Sequence, residues 1–187
     1  MEKKFSDERY QIIKNWALNP YPNGLTTTVI PMNQQSVNQI RTAAKIEETQ
    51  WGNTMIGQEN NNNWTTKLGE GIVHDTLVLR GENPRRPLQL DGYNPDWETD
   101  EYIYEVKTRN WTTTGTAGEK VFGTMYKYSD IPEVYGKPLR IVCVAYQEWE
   151  LCNGNTRIFG EVSQTKQRFL DLAREMGITY MKFSDLV

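Results

Sequence analysis

Pro87-Leu88-Gln89-Leu90-Asp91-Gly92-Tyr93, followed after eight residues by Tyr102-Ile103-Tyr104-Glu105-Val106-Lys107, is the stretch on which the fold of this chain turns. Both pieces have the composition of β-strands. The second alternates: Tyr102, Tyr104 and Val106 lie on one side, Ile103, Glu105 and Lys107 on the other. An acid and a lysine therefore share one face of a strand, two residues apart.

The segment between the two pieces, Asn94-Pro95-Asp96-Trp97-Glu98-Thr99-Asp100, has loop chemistry. A hairpin folded about Glu98 sets Asp91 opposite Glu105. Opposed residues of an antiparallel pair hold their Cβ atoms about 5 Å apart. A literal Pro-Asp also stands at Pro95-Asp96. Using Asp96 centres the hairpin on Asp100-Glu101, a two-residue turn with neither Gly nor Asn, and places Pro95 in a paired strand. Asp91 is therefore assigned as the partner of Glu105. Two close carboxylates beside a lysine suit Mg²⁺, a hard cation that takes carboxylate, water and phosphate oxygens. The lysine can then position a water or offset charge on a phosphate.

Asp91, with Glu105-Val106-Lys107, resembles the PD-(D/E)XK nuclease superfamily, which includes many type II restriction endonucleases. The resemblance covers about residues 65–146. It implies an α/β fold with a restriction-endonuclease-like core, a mixed four- to five-stranded sheet flanked by helices. It also implies a metal held by Asp91, Glu105 and the Val106 carbonyl, with Lys107 acting on the attacking water. An acid on the preceding helix often completes such a shell, and Glu70 in Leu68-Gly69-Glu70 matches that placement. Glu70 equally suits a helix start, where it complements the dipole.

Composition bounds the alternatives. At 187 residues the chain suits a single domain, here 1–187. A mean hydropathy of −0.69 leaves no apolar run for a membrane span. No charged-then-apolar leader opens the sequence, so an intracellular, cytoplasmic protein is expected. With two cysteines and one histidine, no thiolate or Cys/His zinc cluster can be built, nor a two-histidine nuclease site within one chain. Cys143 lies in the apolar run Ile141–Ala145 and reads as core; a Cys143–Cys152 disulfide is disfavoured in a reducing compartment. A net charge of −3 argues against a generic cationic nucleic-acid binder but not against a local basic groove.

Along the chain, Ser6–Leu18 reads as a capped amphipathic helix, stopped by Asn19-Pro20-Tyr21-Pro22-Asn23-Gly24. Residues 25–30 suit a short strand, and Ser36 to about Glu48 a second helix. Gln34, Gln35, Asn38, Gln39 and Arg41 near its start are side-chain types that read base edges or line ordinary surface. Asn60–Asn63 will not form regular structure; the loop either stays at the surface or orders on nucleic acid, with Asn61 and Asn62 as contacts. A helix follows from Thr65 or Thr66 to Leu79, with His74 as a structural histidine. Arg80, Arg85 and Arg86 flank the acids, and Arg85 and Arg86 are candidate phosphate contacts.

After Lys107, a hydroxyl- and glycine-containing loop carries Arg109, Thr116 and Lys120 into a helix at 118–129. Its Gly115-Thr116-Ala117-Gly118-Glu119-Lys120 lacks the Gly-Lys-Ser/Thr ending of a Walker motif. A loop into a helix start favours phosphate, and these three residues are candidate DNA contacts. Leu139–Tyr146 reads as a buried, parallel-paired strand. A hairpin is expected about Asn153-Gly154-Asn155, then a helix from Gln164 to Met176 with Phe169, Leu172, Ala173 and Met176 inward, and a last strand at 178–183.

The expectation is thus a Mg²⁺-dependent endonuclease, with Mn²⁺ able to substitute, cutting double-stranded DNA as a type II restriction enzyme. A homodimer matches a palindromic site, with residues 1–64 supplying recognition and dimerisation. A repair or junction-resolving nuclease of the same superfamily, and a non-catalytic DNA-binding module, are the alternatives.

Overall fold

A computed structural model describes residues 2–18, 34–56, 64–109, 117–154 and 156–187. The expected strand at 25–30 and the contacts assigned to Asn61, Asn62 and Thr116 lie outside the described residues. The described chain is α/β. Four strands, β1 (Trp97–Glu98), β2 (Ile103–Lys107), β3 (Leu139–Cys143) and β4 (Ile178–Lys182), form one mixed sheet in the order β1-β2-β3-β4. β1 runs antiparallel to β2; β3 and β4 run parallel to it.

β2 organises both faces. Its Tyr104 and Val106 pack on one side with Tyr10, Ile13 and Trp16 of α1 (Asp7–Leu18) and Leu68, Ile72 and Leu77 of α3 (Trp64–Leu79). Its Ile103 packs on the other with Tyr128, Ile131, Leu139, Ile141 and Ala173. That layer contains α4 (Ala117–Lys127), α5 (Ile131–Tyr135) and α7 (Gln164–Glu175). Covering on both faces is why β3 and the residues after it read as a nearly continuous apolar run. α3 lies close on β2 because Gly69 has no side chain: a Cβ there would stand 2.3 Å from Thr108 Cγ2 and 3.5 Å from Val106 Cγ1. α2 (Gln34–Ile56) runs eight residues past the expected end at Glu48. It is tied to α1 where Trp16 stacks on Trp51 with centroids 5.2 Å apart and donates Nε1–H to Glu48 at 3.2 Å.

Four expectations fail. Residues 87–93 are not a strand. Asp91 (φ 48°) and Gly92 (φ 81°) form a tight turn closed by Tyr93 N–H to the Leu90 carbonyl at 2.8 Å. Asp-Gly is a strong signal for a turn with two positive φ angles, and it overrides the strand character of its neighbours. The segment expected as a loop, Asn94–Asp100, holds β1 instead.

The expected hairpin about Asn153-Gly154-Asn155 is the end of α6 (Tyr146–Asn153), where Gly154 N–H caps the Glu150 carbonyl at 2.7 Å. A Cβ at Gly154 would stand 2.6 Å from that carbonyl oxygen, so the glycine serves a helix end rather than a β-turn. On α7 the sheet takes Leu170 and Ala173, 7% and 1% exposed, while Phe169, Leu172 and Met176 are 55%, 46% and 38% exposed. Leu170 packs with Val121, Cys143, Leu151 and Ile158, and Ala173 with Ile103, Leu139 and Ile178. Both cysteines are free, with Cys143 buried as expected. No helix among the described residues is long and apolar enough to cross a membrane.

Candidate active site

The site begins with a turn. Thr99 N–H donates to the Tyr102 carbonyl at 2.8 Å, and the Thr99 hydroxyl accepts the Tyr102 N–H at 3.2 Å. Arg85 Nη1 holds Asp100 at 3.0 Å from outside. Side chains thus close a two-residue connection that lacks glycine. The register that follows pairs Trp97 with Tyr104 and Glu98 with Ile103. The regular register ends there: Asp96 N–H reaches the same Tyr104 carbonyl that faces Trp97, and the Asp96 carboxyl lies close enough to Glu105 for the two to repel. The expected Asp91–Glu105 pairing is therefore corrected: Asp91 sits exposed at the turn before β1, and Asp96 of the literal Pro95-Asp96 takes its place. The objection that Pro95 would occupy a paired strand also dissolves. Asp96 N–H is a ladder donor, reaching the Tyr104 carbonyl at 3.0 Å, and Pro95 lies buried just outside the ladder.

Beyond that point the Asp96 side chain replaces backbone. Its Oδ2 accepts the Val106 N–H at 2.7 Å, a donor that a longer hairpin would give to a backbone carbonyl. Along a strand the N–H and C=O of one residue point to the same edge. Ile103 N–H and the Lys107 carbonyl bond on the β3 side, to Pro138 and Val144, so the Val106 carbonyl points to the edge where Asp96 sits. Burial, then Glu105, then Glu70, push the Asp96 carboxyl up to about 8.

Glu105 is 6% exposed. Its Oε1 accepts from Lys107 Nζ at 2.5 Å; its Oε2 is buried with no partner at hydrogen-bond distance, and the Tyr128 phenol is a neutral donor beside the carboxylate. A buried carboxylate oxygen without a donor is costly and calls for a cation, a water or a proton. Glu70 approaches from α3. Its backbone carbonyl accepts Trp97 Nε1–H at 2.9 Å, and its carboxylate is held by Arg86 Nη2 at 2.5 Å. Arg86 lies over the Trp97 ring at 4.1 Å and donates Nη1–H to the Asp96 carbonyl at 2.9 Å, with Asp96 Oδ1 3.8 Å away. Glu70, Asp96 and Glu105 thus crowd one end of the sheet, counterbalanced by Lys107 and Arg86. Among the described residues no three His, Cys, Asp or Glu side chains gather into a metal cluster. The only histidine, His74, is buried on α3 with Nδ1 2.7 Å from Asp75.

The expected phosphate contacts fare unevenly. Arg85 is paired with Glu98 and Asp100, and Arg86 with Glu70. Arg109 is 4% exposed and paired with Glu150 at 3.0 Å, which removes it from any surface groove. Lys120 lies in α4. Sequence reading missed Tyr128, which is 5% exposed with Lys107 Nζ 5.9 Å from its ring centroid. Burial, then the Glu105 carboxylate, raise its phenol to about 12. Nothing in the local sequence signals that contact, because it crosses from α4 to β2. No protein-family model, curated protein or solved structure matches this chain.

Proposed function

We propose that this chain is a Mg²⁺-dependent endonuclease with a restriction-endonuclease-like core, acting on double-stranded DNA as a homodimer of the type II restriction kind. The observation that carries the reading is the Glu105 Oε2, buried without a partner beside Asp96 and Lys107. Asp96, Glu105 and the Val106 carbonyl would hold the cation, and Glu70 would complete the shell or order a water. An all-oxygen donor set of two carboxylates and a carbonyl suits Mg²⁺, which keeps several waters, better than Zn²⁺. Mn²⁺ should substitute.

Bound Mg²⁺ supplies positive charge against the phosphate group and makes water a better nucleophile. The chain's own residues do the rest. Lys107, on the same face of β2 as Glu105, orients the attacking water in line with the scissile bond and offsets charge that builds on the phosphate oxygens. Glu105 fixes the Lys107 ammonium, and Asp96, anchored on Val106 N–H, fixes the edge of β2 that receives the substrate. Arg86, stacked on Trp97, restrains the Glu70 carboxylate.

The test is digestion of a supercoiled plasmid in Mg²⁺ and in EDTA. Wild type should cut only with the divalent ion. Glu105→Ala and Lys107→Ala should lose about a hundredfold or more in rate, in the range for loss of an electrostatic or acid–base group. Cutting by either variant at the wild-type rate would end the assignment. Defined fragments from linear duplex favour a restriction enzyme; cutting of branched or damaged DNA alone favours a repair or junction-resolving nuclease.

A further inference from the structure

A polyanion approaching Glu70, Asp96 and Glu105 meets three carboxylates, so its phosphates need a cation that no acid already engages. Among the described residues, most nearby cations are engaged. Arg85 pairs with Glu98 and Asp100, Arg86 with Glu70, Lys107 with Glu105, Arg109 with Glu150 and Lys137 with Glu98. Lys127 differs. It is exposed, ends α4, and forms no ion pair among the described residues. Its Nζ donates to the Tyr128 hydroxyl at 3.1 Å and lies 4.6 Å from the centroid of that ring.

Those contacts restrain the ammonium without neutralising it, since a phenol hydroxyl and an aromatic face carry no net charge. Tyr128 is also a ring of the face that carries Glu105 and Lys107: buried, packed with Ile103 and Ile131, and 5.9 Å from Lys107 Nζ. One phenol therefore carries both lysines, one paired to Glu105 and one facing solvent. The surface beside it is open. Gly123, one turn back from Lys127, has nothing within 4 Å of where a Cβ would be, and Tyr126 is 88% exposed.

We propose that Lys127 is a substrate-binding residue of this site, contacting a backbone phosphate of the nucleic acid, with the buried Tyr128 as its positioning residue beside Glu105 and Lys107. The inference rests on the nuclease reading above. An ammonium on a neutral support gains a charge-assisted hydrogen bond when a phosphate arrives and releases a counterion from the duplex. An ammonium already paired to a carboxylate gains less.

The experiment is duplex binding by fluorescence anisotropy in EDTA over a series of salt concentrations, with plasmid cleavage kinetics in Mg²⁺ alongside. Lys127→Ala should weaken binding roughly tenfold and lower the log–log salt slope by about one. It should raise KM with little change in kcat, and Lys127→Arg should restore both. Arg168→Gln removes the same charge from α7, which packs on β4 at the opposite end of the sheet from β1. It should leave binding unchanged. Wild-type affinity and slope in Lys127→Ala would overturn the inference, as would an equal loss in Arg168→Gln or a wild-type chain that binds no duplex. A wild type that binds but never cuts would overturn the nuclease reading instead, and a binding loss in Lys127→Ala would still stand.

Discussion

Asp96 is the residue on which the site's electrostatics converge. Its carboxyl is raised from 3.8 to about 8, chiefly by burial and then by Glu105 and Glu70. A folded value above the unfolded one means that the fold prefers the neutral acid. The stability this group contributes is complete below pH about 4 and is lost as pH rises toward about 8. The loss is at most about 1.4 kcal/mol per pH unit within that window. Urea midpoints in EDTA should therefore fall from pH about 5 to about 8 in the wild type. The fall should be shallower in Asp96→Asn, whose amide oxygen can still accept Val106 N–H, and shallower in wild type with saturating Mg²⁺. Superimposable curves for wild type and Asp96→Asn would mean that the acids do not crowd one another. At this scale the sequence was half legible. The acid-x-lysine of Glu105-Val106-Lys107 was readable from its spacing and Glu70 came in only through the family resemblance, but the choice between Asp91 and Asp96 was not legible. It depends on whether Asp100-Glu101 can turn without glycine, and Thr99 and Arg85 supply that turn from outside it.

Elements carry the second scale. The hairpin register rests on Thr99, so Thr99→Val, which removes the acceptor for Tyr102 N–H while keeping the shape, should cost about 1 kcal/mol in a urea melt. A larger loss of activity than of stability would follow if the register slips and Asp96 leaves Glu105. Gly69→Ala tests the α3–β2 contact: a Cβ 2.3 Å from Thr108 Cγ2 should cost about 1–3 kcal/mol by overpacking, against about 1 kcal/mol gained in helix propensity. A stabilised Gly69→Ala would show that α3 can withdraw from β2. α1, with its Ser6 cap and apolar stripe, was legible because those signals are local, whereas α3 begins at Trp64, before the expected caps Thr65 and Thr66. α6 was not legible, because Asn153-Gly154-Asn155 is equally good at ending a helix and at turning a hairpin. Only the buried Tyr146, Trp149 and Leu151 decide between them.

The whole molecule decides what the elements leave open. Of the stripe expected on α7, Phe169, Leu172, Ala173 and Met176, packing on the sheet keeps Ala173 and adds Leu170, leaving the other three exposed. Leu170→Ala should cost about 2–4 kcal/mol, whereas Phe169→Ser should stay within about 0.5 kcal/mol. Chemical denaturation distinguishes them, and equal costs would place Phe169 in the core. The sheet order β1-β2-β3-β4 puts the acids at the β1–β2 edge, where one strand is two residues long and its neighbour's Val106 N–H is left to the Asp96 carboxylate. The measurement that tests this placement most directly is Mn²⁺ titration by calorimetry on wild type, Asp91→Asn, Asp96→Asn and Glu105→Gln. Wild type and Asp91→Asn should bind alike, while Asp96→Asn and Glu105→Gln lose roughly tenfold or more in affinity, as expected when one of two carboxylate ligands is neutralised. Binding that survives in Asp96→Asn and disappears in Asp91→Asn, or no binding by the wild type, would contradict it.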